Sequence, residues 1–321
     1  SRARRKGLLR LALLVSLMMN RRGFLHSTAL ASAALALPQT PAAEPGFKLN
    51  YLLGSAMYGD LPLATVIEET PKTGAVNLDV WPRKHGTQRE QMDEMGHEKV
   101  MELLATHGVK LACSTRYDLG PFKLMDEIDV VKKFGGSVIV TGGAGPVGLT
   151  GDALKAAVRE FVEKLKPTLA KAGENGITIA IENHGKNLID SPDSIRWFAE
   201  FGKDLPLGIE LAPYHLPQET ALLAGLIRDL GPKLTVFLAW EHGMGCMKPM
   251  PKEEELQQMP GRGKLDFTPL LKALKAIGYT GFTQIFMHPT PRGIPILPTA
   301  AETTAEINLA KAYLEKCLAN A

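Results

Sequence analysis

Residues 177–185 read Ile-Thr-Ile-Ala-Ile-Glu-Asn-His-Gly. The apolar, β-branched start makes a short strand, and Glu182 closes it where the chain turns polar. Just upstream, Leu154, Val158, Phe161, Val162, Leu165 and Leu169 recur at three- and four-residue spacing, which predicts an amphipathic helix over 154–169. The same alternation runs along the chain. Apolar runs at 47–55, 75–81, 109–115, 137–141, 177–182, 207–211, 234–240 and 282–287 predict eight strands. Val100, Leu103 and Leu104 mark a helix before Gly108, and 266–277 and 303–318 supply the last two helices. Strands alternating with helices pair in parallel under covering helices. Eight such units close a (β/α)8 TIM barrel, which needs roughly 250 residues.

The chain has 321 residues, 45% hydrophobic and 22% charged, a globular composition. Its net charge of +3 is unevenly spread. Residues 1–43 hold seven basic residues and no acid, leaving 30 basic and 34 acidic residues in the remainder, a net of −4. A body of that charge argues against a nucleic-acid partner, which needs a clustered basic face. Cys113, Cys246 and Cys317 are too few and too scattered for a disulfide framework or a zinc finger.

The basic segment reads as an address. Arg21-Arg22-Gly23-Phe24-Leu25 resembles the twin-arginine export signal, followed by the apolar run 29–37 and small residues up to Ala43. Neither apolar run reaches the roughly 18 residues of a membrane span. The expectation is an exported, periplasmic protein with a signal segment at 1–43, no stable membrane span after its removal, and one barrel domain at 44–321. A start at Met19 would give a well-formed signal by itself, so residues 1–18 read as an over-extended start.

One motif favours an open dinucleotide-binding sheet. Gly143, Gly145 and Gly148 form a G-x-G-x-x-G after a strand. Pro146 interrupts it, and the next strand-end acid, Glu182, comes 39 positions after Gly143 where about 20 is expected. A flexible loop at the barrel mouth explains these glycines better.

Chemistry in such barrels sits at the C-terminal ends of the strands. Polar residues gather there: Trp81 after strand two, Glu182 and His184 after strand five, Glu210 and His215 on and after strand six, Glu241 and His242 after strand seven, and Gln284 and His288 on and after strand eight. An acid ending an apolar strand is costly to bury without a cation or other partner. Carboxylates and histidines from several strand ends suit one divalent cation. The long stretch 243–264 and the loop carrying Arg292 are candidate lids or substrate walls. Arg292 suits a substrate carboxylate or phosphate.

These strand ends resemble the sugar phosphate isomerase/epimerase family, the xylose-isomerase-like barrels. The resemblance is carried by Leu78-Asp79-Val80-Trp81, by Ile179-Ala180-Ile181-Glu182-Asn183-His184 and by Gly278-Tyr279-Thr280-Gly281, and it spans roughly 47–318. It implies a divalent metal, Mn²⁺, Mg²⁺ or Zn²⁺, and a reaction that moves a proton next to a carbonyl of a carbohydrate or polyol. Carried over by position, Glu182 is metal ligand and base, His242 a ligand, and His215 the histidine of a strand-six D-x-x-H pattern. The Asp of that pattern falls on Ala212, so Glu210 is the substitute ligand. The strand-eight Glu falls on Gln284, a weak neutral ligand, with His288 as a compensating catalytic group. Trp81, His184, Glu241 and Arg292 are the expected substrate contacts. Isomerisation or epimerisation is the expected reaction. A lyase or hydrolase acting on an oxidised sugar, or a sugar-binding barrel with a decayed metal site, are the alternatives.

Overall fold

Every run expected to be extended is a strand in the computed structural model, which describes residues 46–321. The export segment, 1–43, lies outside the described residues. The strands are β1 (Asn50–Gly54), β2 (Asn77–Val80), β3 (Lys110–Thr115), β4 (Val138–Gly142), β5 (Thr178–Glu182), β6 (Leu207–Leu211), β7 (Leu234–Ala239) and β8 (Phe282–Ile285). They pair in parallel in sequence order, and β8 closes on β1.

Around this barrel run α1 (Leu63–Glu69), α2 (Gln88–Met95), α3 (His97–His107), α4 (Met125–Lys133), α5 (Gly151–Glu174), α6 (Pro192–Phe201), α7 (Thr220–Leu230), α8 (Lys252–Glu255), α9 (Thr268–Ala276) and α10 (Ala300–Ala319). Local chemistry sets several of their ends. Ser191 with Ser194, and Thr299 with Glu302, form reciprocal caps that start α6 and α10. Gly108 ends α3 in the left-handed conformation at φ 65°, which a side chain would resist. Among the described residues no helix is long and apolar enough to cross a membrane.

Burial falls into two shells. The outer one joins the helix faces to the outside of the barrel, and the six apolar positions read from 154–169 are all buried in it. The inner one is small: Leu52, Ala112, Cys113, Val138, Val140, Ala180 and Val236 fill the barrel's lower axis. Above them the axis turns polar, with Asp79, Thr115, Glu210 and Gln284 essentially inaccessible. Gly54 on β1 permits this layer, because a Cβ there would stand 2.2 Å from the Gln284 amide nitrogen. Burying that many polar groups is unfavourable unless they serve one another or a ligand, so the fold itself directs attention to the upper end of the barrel.

Candidate metal and substrate site

The pairing of β5 with β6 sets Glu182 beside Glu210. Both carboxylates are buried. Tyr117, two residues past β3, stands over them: its hydroxyl donates to Glu182 Oε2 at 2.6 Å and lies 3.4 Å from Glu210 Oε2. Glu210 Oε1 has no partner. Burial, reinforced by the charges of Glu182 and Asp79, pushes the Glu210 acid well above the usual carboxylate range. Burial also raises Glu182, against the pull of His184, the Tyr117 hydrogen bond and Arg292. Two adjacent buried acids titrate as a pair, and Glu210 is the one that its neighbours' charges hold further above the usual range.

Two imidazoles complete a cluster. His215 ends the short turn Pro213–His215 after β6, and its Nε2 is buried without a hydrogen-bond partner, 3.8 Å from Glu182 Oε1. The His184 ring lies over it, centroids 4.0 Å apart. His184 Nδ1 sits 2.8 Å from the Gly185 carbonyl, so Nδ1 carries a proton and any bond to a metal falls to Nε2. One donor atom from each of Glu182, His184 and His215 falls within 4.8 Å of the others. Burial drives the His215 pKa down to about 3, with the His184, Arg292 and His242 charges adding to the shift, so this ring stays neutral. One carboxylate and two imidazoles are the donor set of a divalent cation. The unpartnered buried nitrogen of His215 is the observation that makes them fit one.

Above the cluster opens a cavity of about 230 Å³. Trp81 and Trp240 wall it, Trp81 stacked on Phe286 at 5.0 Å and Trp240 on Tyr214 at 3.9 Å. His288 and His85 stack on one another at 4.6 Å on its lining. Burial keeps both uncharged, His85 at about 4 and His288 well below the usual range.

Of the residues expected to act, Glu182, His184, His288, Trp81 and Arg292 line this cavity, and His215 and Glu210 lie against its Glu182. Three do not join them. His242 is exposed at the rim, its ring 5.1 Å from Tyr214, because β7 ends in a chain reversal in which the Glu241 N–H donates to the Gln258 carbonyl and the His242 N–H to Gln218. The Glu241 carboxylate turns into the following loop and accepts the N–H groups of Gly261, Gly263 and Leu265 at 2.8–3.2 Å. Gln284 lies on the axis with its amide donating to Asp79 Oδ2 at 3.1 Å. The structure therefore gathers Glu182, His184 and His215, with Glu210 beside Glu182, and it leaves His242 exposed and Gln284 on Asp79.

Sequence reasoning misses Tyr117, His85 and Asp79. Asp79 is fully buried and accepts from the Trp81 indole, Thr115 and Gln284, and burial lifts it to about 6. Its signal is the same as that of Glu182, an acid within an apolar strand. Tyr117 and His85 lie on loops beyond the ends of β3 and β2, where a search for ionisable strand caps does not reach.

Residues 74–313 match the family described as xylose isomerase-like TIM barrel. None of the curated proteins compared matches the sequence. Among solved structures, D-psicose 3-epimerase from Clostridium cellulolyticum H10, with D-tagatose, superposes with a TM-score of 0.64 at 16% identity, over 84% of this chain and 99% of its own. An L-ribulose 3-epimerase gives 0.63 at 15% identity, over 85% and 95%. The IOLI protein with a binding zinc atom gives 0.62 at 16%, over 85% and 99%. At such identities the likeness is one of fold.

Proposed function

The chain belongs to the xylose isomerase-like TIM barrel family, and from that premise we propose that it is a metal-assisted aldose–ketose isomerase acting on a small carbohydrate. The observation that carries this reading is the convergence of Glu182, His184 and His215 beneath a monosaccharide-sized cavity, with His215 Nε2 buried and unpartnered. Sugar epimerases and a zinc-bound protein among the structural neighbours support it.

Glu182, His184 and His215 would hold the cation, and two imidazoles in the set favour Zn²⁺ or Mn²⁺ over Mg²⁺. The cation's contribution would be to polarise the substrate carbonyl and acidify the neighbouring C–H. Glu182 is the base. Its buried carboxylate is raised toward working pH, which favours proton transfer from carbon. The Tyr117 hydroxyl orients it and tempers that shift. Burial and the charges of Glu182 and Asp79 disfavour a second negative charge on Glu210 beside it. Trp81 and Trp240 shield the reacting carbons from water.

The engine is one-sided, which separates isomerisation from epimerisation. Inverting a carbon takes a proton off one face and returns it to the other. Glu182 is the one carboxylate on the cavity lining among the described residues, and Gln284, where the resemblance expects a second acid, is a neutral amide held by Asp79. A single carboxylate moves a proton between adjacent carbons on one face, the step an aldose–ketose isomerase needs.

The test is turnover of aldose and ketose panels by zinc- or manganese-loaded protein in D₂O, followed by NMR. The expected result is aldose–ketose interconversion with solvent deuterium at the carbon next to the carbonyl, lost in Glu182→Gln. A product epimerised at one carbon, or release of a leaving group, would overturn the assignment.

A further inference from the structure

Arg292 sits at the cavity mouth in the loop joining β8 to α10, and its side chain lines the cavity. Its Nη1 donates to His85 Nε2 at 3.0 Å. Among the described residues no carboxylate forms an ion pair with it, whereas Arg116, also near the strand ends, is committed to Asp118 and Glu127. A histidine that accepts through Nε2 carries its ring proton on Nδ1 and is uncharged. The guanidinium is thus oriented by a neutral group and makes no ion pair among the described residues, although its charge acts on Glu182 across the same cavity. It has five N–H donors, and His85 occupies one.

The loop that presents Arg292 is fastened on both sides. The Ile296 N–H donates to the Met57 carbonyl at 3.0 Å, and Tyr58 bridges to Pro295. Gly293 follows Arg292 at φ 85°, and a Cβ there would meet the Lys84 carbonyl oxygen at 2.8 Å. The turn therefore presses the loop onto the chain segment that carries His85. His85 in turn stacks on His288. A positioned guanidinium with no ion-pair partner, at the entrance of a site whose other lining side chains are Glu182, imidazoles, aromatic rings and an amide, is a feature that an uncharged polyol does not require.

Building on the isomerase reading, we infer that the substrate is an anionic carbohydrate, whose carboxylate or phosphate docks on Arg292 at the mouth while its carbon chain lies between Trp81 and Trp240 toward Glu182. Carboxylate and phosphate share the chemistry that a guanidinium reads, two oxygens matched to a planar fork of donors. A cavity of about 230 Å³ lies below the ~300–1,000 Å³ of pockets for drug-sized ligands, and suits a single sugar ring or open chain.

The experiment is calorimetric titration of the zinc-loaded protein with matched pairs that differ in the anionic group alone: D-glucuronate against D-glucose, D-galacturonate against D-galactose, and D-fructose 6-phosphate against D-fructose. The expected result is that in at least one pair the anion binds about tenfold or more tightly, a preference that weakens as salt is raised. The uronate pairs and the phosphate pair tell the two sources of charge apart. Arg292→Ala should abolish the preference, and Arg292→Lys should restore part of it, while zinc content and unfolding temperature stay at wild-type values. Equal affinity for both members of every pair, or a preference that survives in Arg292→Ala, would overturn the inference. Turnover judges the isomerase reading separately. Anion preference without aldose–ketose conversion removes that reading and leaves the anion site, whereas conversion of neutral sugars without preference does the reverse.

Discussion

Glu182 Oε1 stands 3.8 Å from His215 Nε2, with neither a hydrogen bond between them nor any other partner for the imidazole nitrogen. That spacing is too long for a hydrogen bond and suits two atoms that each reach about 2 Å to one cation. With His184 stacked on His215, the ligand set reads as one carboxylate and two imidazoles. His184→Ala and His215→Ala should each lower zinc affinity by about 10- to 100-fold or more, by analogy with the loss of supporting groups around metals. His242→Ala should leave it unchanged, since that ring is exposed at the rim. Competition with a chromophoric chelator measures all three. A loss in His242→Ala equal to that in His215→Ala would restore the set expected from the resemblance.

Glu182→Gln keeps the shape of the side chain and removes both charge and basicity. Turnover should fall by about 10²–10⁴, the usual share of a general base, and metal content should fall with it. Thermal stability should not fall in parallel, because a buried carboxylate is itself unfavourable. Tyr117→Phe gives the finer measurement. The Tyr117 hydrogen bond lowers the Glu182 pKa, so its removal raises it. The base acts when deprotonated, and the acid limb of kcat against pH should therefore move to higher pH in Tyr117→Phe.

Asp79 allows a stability measurement with a definite sign. Burial raises its folded-state pKa from 3.8 to about 6. The folded state then binds more protons than the unfolded state between those values. The carboxyl's contribution to stability grows as pH falls through 6 and is lost as pH rises through it. Two such pKa values make wild type gain about 1.4 kcal/mol relative to Asp79→Asn on going from pH 8 to pH 5. Urea denaturation of both proteins at the two pH values gives the difference directly. His85 and His215, with folded pKa values near 4 and 3, push the other way in both proteins and cancel in the comparison. A difference that does not change with pH would show that Asp79 is not raised.

How much of this was legible follows from what each residue must satisfy locally. All eight strands were readable because a strand buried on both faces is a continuous apolar run, as in 177–181. Glu182 was readable because an acid ending such a run needs a reason to be there. His184, two positions on, follows by alternation on the same face, and both side chains line the cavity. The same rule applied after β7 fails for His242. Trp240 faces the cavity, but the backbone bonds of Glu241 and His242 to Gln258 and Gln218 bend the chain away before the next inward position. Those bonds come from residues 17 and 24 positions distant, and no local pattern encodes them. His85 and Tyr117 are unreadable for a related reason: the direction of a ring on a loop is set by the neighbours it packs on.

Glu241 shows what the long loop after β7 depends on. Its carboxylate accepts the N–H groups of Gly261, Gly263 and Leu265, and a Cβ on Gly263 would stand 2.2 Å from one of its oxygens. The segment 243–264 is thereby closed into a loop around one buried anion, and Gln258 within it also holds the Trp240 indole at 3.0 Å and the His288 carbonyl at 2.8 Å. Glu241→Ala leaves three donors without an acceptor, and each unmet buried group costs about 1–3 kcal/mol where water cannot reach it. We expect a loss of several-fold to tens-fold in substrate affinity as the Trp240 wall loosens, and faster cleavage by protease within 243–264. Zinc affinity should be unchanged, because the ligands lie at and just after the end of β5 and after β6. Limited proteolysis with mass spectrometry, set beside the chelator competition, separates these effects. Loss of zinc in Glu241→Ala without new cleavage in the loop would instead make Glu241 part of the metal site.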